Sequence, residues 1–194
     1  AFRLIKSWKV ADIEQPLHSR LAIEWFENAL AKMVETLNTQ FEHYRISEAL
    51  MTIYMGFRDD FSSWLLEIIK PGYEQPIYRE TYEKTITLFE QLLQLLHPFM
   101  PFITEEIWQS LKERKNGESI MVTFMPENFA YDHDKLQIFE YAKEVIVGIR
   151  NIRKQHNIAF KDTLELKVKE NDRYPASYQS IIAKMGNISN IEMI

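Results

Sequence analysis

Between Glu14 and Tyr44 the chain places apolar residues at Leu21, Trp25, Leu30, Met33, Leu37 and Phe41. Steps of three to five residues return a side chain to one face of an α-helix, so this spacing predicts a long amphipathic helix that must bury one side. Pro16 lies just before its first turn, where proline is tolerated. The pattern is then repeated with other residues. From Arg45 to Tyr73 the inward set is Leu50, Tyr54, Phe57, Phe61, Trp64, Leu65 and Ile68, with Ser47 as the expected N-cap and Glu48 in the first turn. Lys70-Pro71-Gly72 closes that helix, because the residue before a proline is pushed out of helical backbone. A third helix, from about Pro76 to Leu96, buries Tyr82, Ile86, Phe89, Leu92, Leu93 and Leu96. Successive helices of this kind can satisfy their apolar faces only against one another, which predicts an antiparallel helical bundle.

The junction after the third helix reads LHPFMPFITEEIWQSL, from Leu96 to Leu111. Pro98 ends one helix at His97, and Pro101 suits the first turn of the next, where its missing N–H is no loss. Glu105 and Glu106 near that helix start favour its dipole by about 0.3–1 kcal/mol each. Ile103, Ile107 and Leu111 are expected to face inward, and the helix is expected to end near Arg114. A metal site is the competing reading of His97 and the two glutamates. Carboxylate-bridged metal sites in bundles use a Glu three residues before a His. The residues at that offset from the five histidines are Gln15, Gln40, Gln94, Ala130 and Arg153. No His-Glu-x-x-His, glycine-rich phosphate loop or Gly-x-Ser-x-Gly elbow occurs, and the chain has no cysteine and five glycines in all. No catalytic residue and no metal ligand is therefore assigned.

Beyond the Asn116-Gly117 turn the character changes. SIMVTF is short and β-rich, His133 to Asn157 is helical, and DTLELKVKE alternates apolar and charged residues as a half-buried strand does. A helix near Pro175–Met185 and a strand-like NISNIEMI follow. The expected organisation is mainly α: a bundle over 1–116 and a small α+β unit over 117–194. The opening AFRLIKSW lacks a capping residue and the last residues lie within a strand, so a piece of a longer polypeptide is expected. No apolar run approaches the ~20 residues needed to cross a bilayer. The net charge of −5 argues against indiscriminate nucleic-acid binding but leaves room for local basic patches. The expected compartment is the cytoplasm.

LLHPFMPFITEEIWQ, Leu95 to Gln109, resembles a signature of the class I aminoacyl-tRNA synthetases specific for valine, isoleucine and leucine, within their helical anticodon-binding domain. The valine-specific members are most similar. Leucine enzymes usually carry a histidine where this chain has Phe102, and isoleucine enzymes usually lack the one at His97. FSSWLLEIIKP, Phe61 to Pro71, is similar to another segment of the valine enzymes, with Leu65 in place of the usual tyrosine. AFRLI resembles the end of the family's Asn-x-x-Arg-Phe segment, with Arg3 as its arginine and Leu4 replacing its aromatic. VIVGIRNIRKQHNI, Val145 to Ile158, resembles the helix that follows the bundle.

The resemblance implies a non-catalytic anticodon-binding domain of a valine-specific enzyme. The family's ATP-binding His-Ile-Gly-His and Lys-Met-Ser-Lys-Ser motifs are absent, so ATP with magnesium, and zinc as an open alternative, belong to the full-length parent. The implied partners are a valine-accepting tRNA and the catalytic, editing and coiled-coil domains of the same polypeptide, with no membrane. Unpaired bases are read by stacking and edge hydrogen bonds, and phosphates by Lys and Arg. Two basic clusters fit. Arg3, Lys6 and Lys9 recur at i, i+3 and i+6 beside Trp8 as a stacking platform, and the resemblance favours Arg3. Arg150, Arg153 and Lys154, with Lys161 as a further candidate, share a helix face opposite Val145, Ile149 and Ile152. Basic residues in the last turns of a helix also favour its dipole with no RNA present. Two alternatives stay open: the equivalent domain of an isoleucine or leucine enzyme, and a helical scaffold whose exposed apolar groove binds a partner helix.

Overall fold

A computed structural model of the chain describes residues 1–127, 130–169 and 174–194. It opens with a short helix, α1 (Phe2–Ser7), and a two-residue strand, β1 (Val10–Ala11). The long helix α2 (Leu17–Glu42) follows, with Pro16 as its N-cap. Next come α3 (Ile46–Met55), a π-helical stretch (Gly56–Leu65) and α4 (Leu66–Ile69), which run on without a turn. Strand β2 (Ile77–Tyr78) pairs in parallel with β1 and leads into α5 (Arg79–Leu96) and α6 (Pro101–Leu111). A 3₁₀ turn (Ile120–Val122), α7 (His133–Gln155), β3 (Leu164–Val168), a second 3₁₀ turn (Ala176–Tyr178), α8 (Gln179–Gly186) and β4 (Ile188–Met193) complete the chain. Strands β3 and β4 pair in parallel with α8 as their crossover, and Asn187 takes the left-handed conformation that ends α8. The fold is mainly α, as the apolar spacing predicts. Glu170, the last residue of the alternating run, lies outside the described residues.

α2 is the central strut. Its buried face carries Trp25, Phe26, Leu30, Met33, Val34 and Leu37. Phe26, Phe61 and Phe89 form a ring cluster at its middle, with Phe61 stacked on Phe89 at 5.3 Å between centroids. On another side Trp25 stacks on Phe139 of α7 at 3.9 Å, and Phe139 meets Tyr178 edge-on at 5.3 Å. The apolar side chains before and after Gly117 thus share one core. Each fully buried ring contributes about 1.5–3 kcal/mol by leaving water, and favourable ring pairs add about 0.5–1.5 kcal/mol each.

Several local expectations are corrected. The second long helix starts at Ile46 with Arg45 as N-cap, so Ser47 sits inside the first turn. Its π-helical stretch follows an i→i+5 rhythm, shared by the Ser62 and Ser63 hydroxyls, which donate to the Phe57 and Arg58 carbonyls. Leu50 and Tyr54, in α3 ahead of that stretch, are exposed, which corrects their expected inward position. Gly56 opens the stretch beneath α2, and a Cβ there would lie 1.9 Å from Met33 Cε. SIMVTF forms the 3₁₀ turn instead of a strand, because among the described residues no strand lies alongside it, and Val122 and Phe124 are exposed. α6 ends at Leu111. Arg114 then folds back with its guanidinium 3.4 Å from the Trp108 ring centroid and pairs with Glu90. Ile103 and Ile152 are exposed instead of inward-facing.

Candidate nucleic-acid interface

α1 is anchored by one residue. Ile5 is fully buried, Phe2 and Leu4 pack partly against the core, and Arg3 and Lys6 project into solvent. The helix stops at Ser7 because Trp8 is extended, at ψ 134°. Lys9 therefore lies off the helix, which corrects the expected i, i+3, i+6 row. The Lys9 carbonyl accepts the Ile77 N–H at 2.7 Å, which fixes the exit from α1 against β2. Trp8 is half buried and packed against the core, so one face at most is open to a base. It also helps line a cleft of about 530 Å³ with Leu4, Lys9, Lys70, Gly72 and Tyr73. Tyr73 is 92% exposed. Neither Lys70 nor Tyr73 stands out in the sequence, where Lys70-Pro71-Gly72-Tyr73 signals only a helix stop. The pairing of β1 with β2 is what brings this loop beside Lys9. Among the described residues no ion pair involves Arg3, Lys6 or Lys9, so these cations have no carboxylate to release before meeting a phosphate.

The second cluster splits. Arg150 is exposed, with its guanidinium 5.4 Å from the Trp64 ring centroid, and Lys154 and Lys161 are exposed. Arg153 points the other way and is 5% exposed. Its two terminal nitrogens donate to four carbonyls: Ala159 and Asp162 at 2.9 Å each, Gly186 at 2.8 Å and Asn187 at 3.2 Å. The planar fork of arginine suits this fan of acceptors, which ties the end of α7 to the approach to β3 and the end of α8. Arg153 is thus a tie between elements and is unavailable to RNA, a correction to the expected face of three. The first and second clusters share no hydrogen bond or ion pair among the described residues.

The two-proline junction is structural. The His97 ring Nδ1 lies 2.7 Å from the Thr104 hydroxyl, which is wholly buried and also donates to the Met100 carbonyl at 2.8 Å. Glu105 accepts from the Ser119 hydroxyl at 2.8 Å, the Ile120 N–H at 3.0 Å and Gln109. Desolvation pushes its carboxyl up, but these hydrogen bonds outweigh it and hold the group below its ordinary value. Among the described residues no group of three or more His, Asp or Glu could hold a metal. Arg58 and Asp59 pair on the surface, whereas Asp60 is drawn inward to Lys143 at 3.3 Å, and burial pushes its carboxyl up. An apolar groove of about 550 Å³ runs along α3, lined by Leu50, Met51, Tyr54, Phe57 and Met100.

Residues 24–169 match the family model described as the anticodon-binding domain of tRNA ligase. The chain belongs to this family. Curated relatives are similar along its whole length. A protein named valine–tRNA ligase from Phocaeicola vulgatus is 54% identical over 194 residues, all of this chain and 22% of that protein. Proteins of the same name from Parabacteroides distasonis and Porphyromonas gingivalis are 50% and 47% identical, again over all of this chain and 22% of theirs. The chain thus spans about a fifth of the length of the curated relatives it matches. Arg150, Arg153 and Lys154 fall within the part that matches the anticodon-binding family model, whereas Arg3, Lys6, Trp8 and Lys9 precede it.

Proposed function

We propose that this chain is the tRNA anticodon stem-loop binding module of a class I valine–tRNA ligase. It holds the tRNA while a catalytic domain elsewhere in the polypeptide joins valine to it with ATP and magnesium. The module itself carries out no chemistry, and it works in the cytoplasm with the catalytic, editing and coiled-coil domains of its own polypeptide. The bundle over 1–116 supplies the first basic cluster, and the α+β unit over 117–194 supplies the second. Identity of 54% along the whole chain to a protein named valine–tRNA ligase is the observation that carries this reading. It is supported by the exposed Arg3, Lys6 and Lys9, which meet no acid among the described residues. In this reading Arg3, Lys6, Lys9, Arg150 and Lys154 meet phosphates, and Trp8 offers its open face to a base. Among the described residues no group of three or more His, Asp or Glu is gathered to hold zinc.

Filter binding tests the proposal, with valine-accepting tRNA and an unrelated tRNA as probes. Five phosphate contacts predict a roughly 130–500-fold loss of affinity between about 50 and about 200 mM salt, because each contact releases counterions. Arg3→Ala is expected to weaken binding and to lower the log–log salt slope by about 0.7–0.9. Equal retention of the two tRNAs would refute specificity, and a flat salt response would refute phosphate contact. A second reading draws on the groove along α3, whose walls are nearly all apolar: it would dock a partner helix. Salt-independent capture of such a helix, without tRNA binding, would favour it.

A further inference from the structure

The segment after α6 is strapped back onto that helix. Gln109 of α6 donates to the Glu118 carbonyl at 2.6 Å, and Glu105 accepts from the Ser119 hydroxyl at 2.8 Å and the Ile120 N–H at 3.0 Å. Ile120 is buried in the core. The strap begins at a turn over residues 115–118. The Glu118 N–H donates to the Lys115 carbonyl at 3.1 Å, and the Lys115 N–H donates to the Glu118 carboxylate at 3.0 Å. Asn116 and Gly117 are the two central residues of the turn, both exposed, and Asn116 is the one asparagine of the chain that glycine follows. Gly117 takes φ +90° in the third position, where a type II turn calls for glycine. Among the described residues the Asn116 amide and the Gly117 N–H make no hydrogen bond. Chain neighbours aside, nothing lies within 4 Å of where a Gly117 Cβ would stand. Asn157 offers the contrast. It too is exposed and in a turn, but the β-branched Ile158 follows it, and the Ile158 N–H donates to the Arg153 carbonyl at 2.9 Å.

We infer that Asn116 is a site of spontaneous deamidation and isomerisation, with water as the only co-reactant, and that its isoaspartyl product releases the strap from α6. The Gly117 amide nitrogen gives its proton to water and attacks Cγ of Asn116. The new N–Cγ bond closes a five-membered imide. The Cγ–Nδ2 bond breaks, and its electron pair leaves with Nδ2, which takes a proton back from water and departs as ammonia. Water then adds to one imide carbonyl, its hydroxyl going to carbon and its other hydrogen to the ring nitrogen. Opening at Cγ gives aspartate. Opening at the main-chain carbonyl carbon gives isoaspartate, in which the chain runs through Cβ and Cγ. Gly117 supplies an unhindered nucleophile whose N–H has no hydrogen bond to break first. Isoaspartate lengthens the main chain by one methylene inside the turn, so the closing bonds between Lys115 and Glu118 no longer match. Glu118 then leaves Gln109, and the Ser119 and Ile120 bonds to Glu105 follow directly along the chain. This inference is independent of tRNA binding.

The test incubates the intact polypeptide at neutral pH and physiological temperature. Digestion and mass spectrometry then give the rate of amide-to-acid conversion at each asparagine, and chromatography separates isoaspartyl from aspartyl peptides. Asn116 is expected to convert at least about tenfold faster than Asn157, roughly fivefold from the Ile158 hydrogen bond that must open first and the rest from its branched side chain. Isoaspartate should appear among the products, and hydrogen exchange at the Ile120 amide should rise several-fold in the aged protein. Two variants keep that exchange at its fresh value. Asn116→Gln, after the same incubation, retains an amide that closes only a less favourable six-membered ring. Asn116→Asp, before incubation, carries the new charge without the longer chain. Conversion of Asn116 no faster than Asn157 overturns the site. Unchanged Ile120 exchange in the aged protein, or an equal rise in fresh Asn116→Asp, overturns release by the lengthened chain.

Discussion

Replacing Arg153 by Met keeps most of the aliphatic stem and removes every hydrogen bond at its end. Of the four carbonyls it serves, Ala159 also accepts the Asp162 N–H, and Asn187 also accepts the Leu164 N–H. Among the described residues the Gly186 and Asp162 carbonyls accept a side-chain hydrogen bond from Arg153 alone. Leaving the buried Gly186 acceptor unpaired costs about 1–3 kcal/mol, whereas the carbonyl of the exposed Asp162 can turn to water, so a loss of about 1–3 kcal/mol is predicted. Arg153→Lys offers a point charge in place of a fork and should lose a large part of the same amount. Guanidinium unfolding followed by far-ultraviolet dichroism gives the global value. Hydrogen exchange should show amides of β3 and β4 opening before those of α2 and α5, because the tie joins the former to α7. A loss below about 0.5 kcal/mol, or equal protection of all elements, would refute this account and restore Arg153 to the candidates for RNA contact.

Three further outcomes are expected. Thr104→Val leaves the His97 ring nitrogen and the Met100 carbonyl without their shared hydroxyl, and should cost about 1–2 kcal/mol in thermal or guanidinium unfolding. Gly56→Ala drives a Cβ against the buried end of Met33 and should destabilise by about 1 kcal/mol after the gain in helix propensity; the double variant with Met33→Ala should lose less than the two singles added. His18, lowered to about 4 in the fold by burial and the Lys184 charge, regains an ordinary value of 6.5 on unfolding, so the unfolded chain binds the extra proton between those values. Its contribution is intact above pH 6.5 and declines as pH falls toward 4, by about 1 kcal/mol once partial exposure is allowed for. Urea midpoints across that window should flatten in His18→Gln.

The long helices were legible because burial of one face imposes a period that local sequence must obey: Trp25, Leu30, Met33 and Leu37 are inward as their spacing requires. The two prolines flanking Phe99 and Met100 carry their own backbone consequences, so the α5–α6 junction was legible too. The π-helical stretch was not. Its change of period depends on how Phe57 and Phe61 meet Phe89 across the bundle, which no local pattern encodes. SIMVTF misled because β-propensity needs a neighbouring strand to act on. At the site, Arg3 and Lys6 were legible as an acid-free cluster. Arg153 was misread because an arginine in a last helical turn has the same local signature whether it faces water or a fan of carbonyls. Lys70 and Tyr73 join Lys9 only through the β1–β2 pairing, two residues long and some 67 positions apart in the chain.

The stacking of Trp25 on Phe139 has a consequence for how the chain is made. α2 emerges from the ribosome early, and the side chains that cover this flank, Phe139 and Tyr178, emerge much later. At roughly 5–20 residues per second the interval is of order ten seconds. Throughout it, an indole destined for the interior has no native lid and is open to holding factors or to mispairing with neighbouring nascent chains. Variants that slow elongation between α6 and α7 should therefore lower the yield of folded protein without altering its final stability.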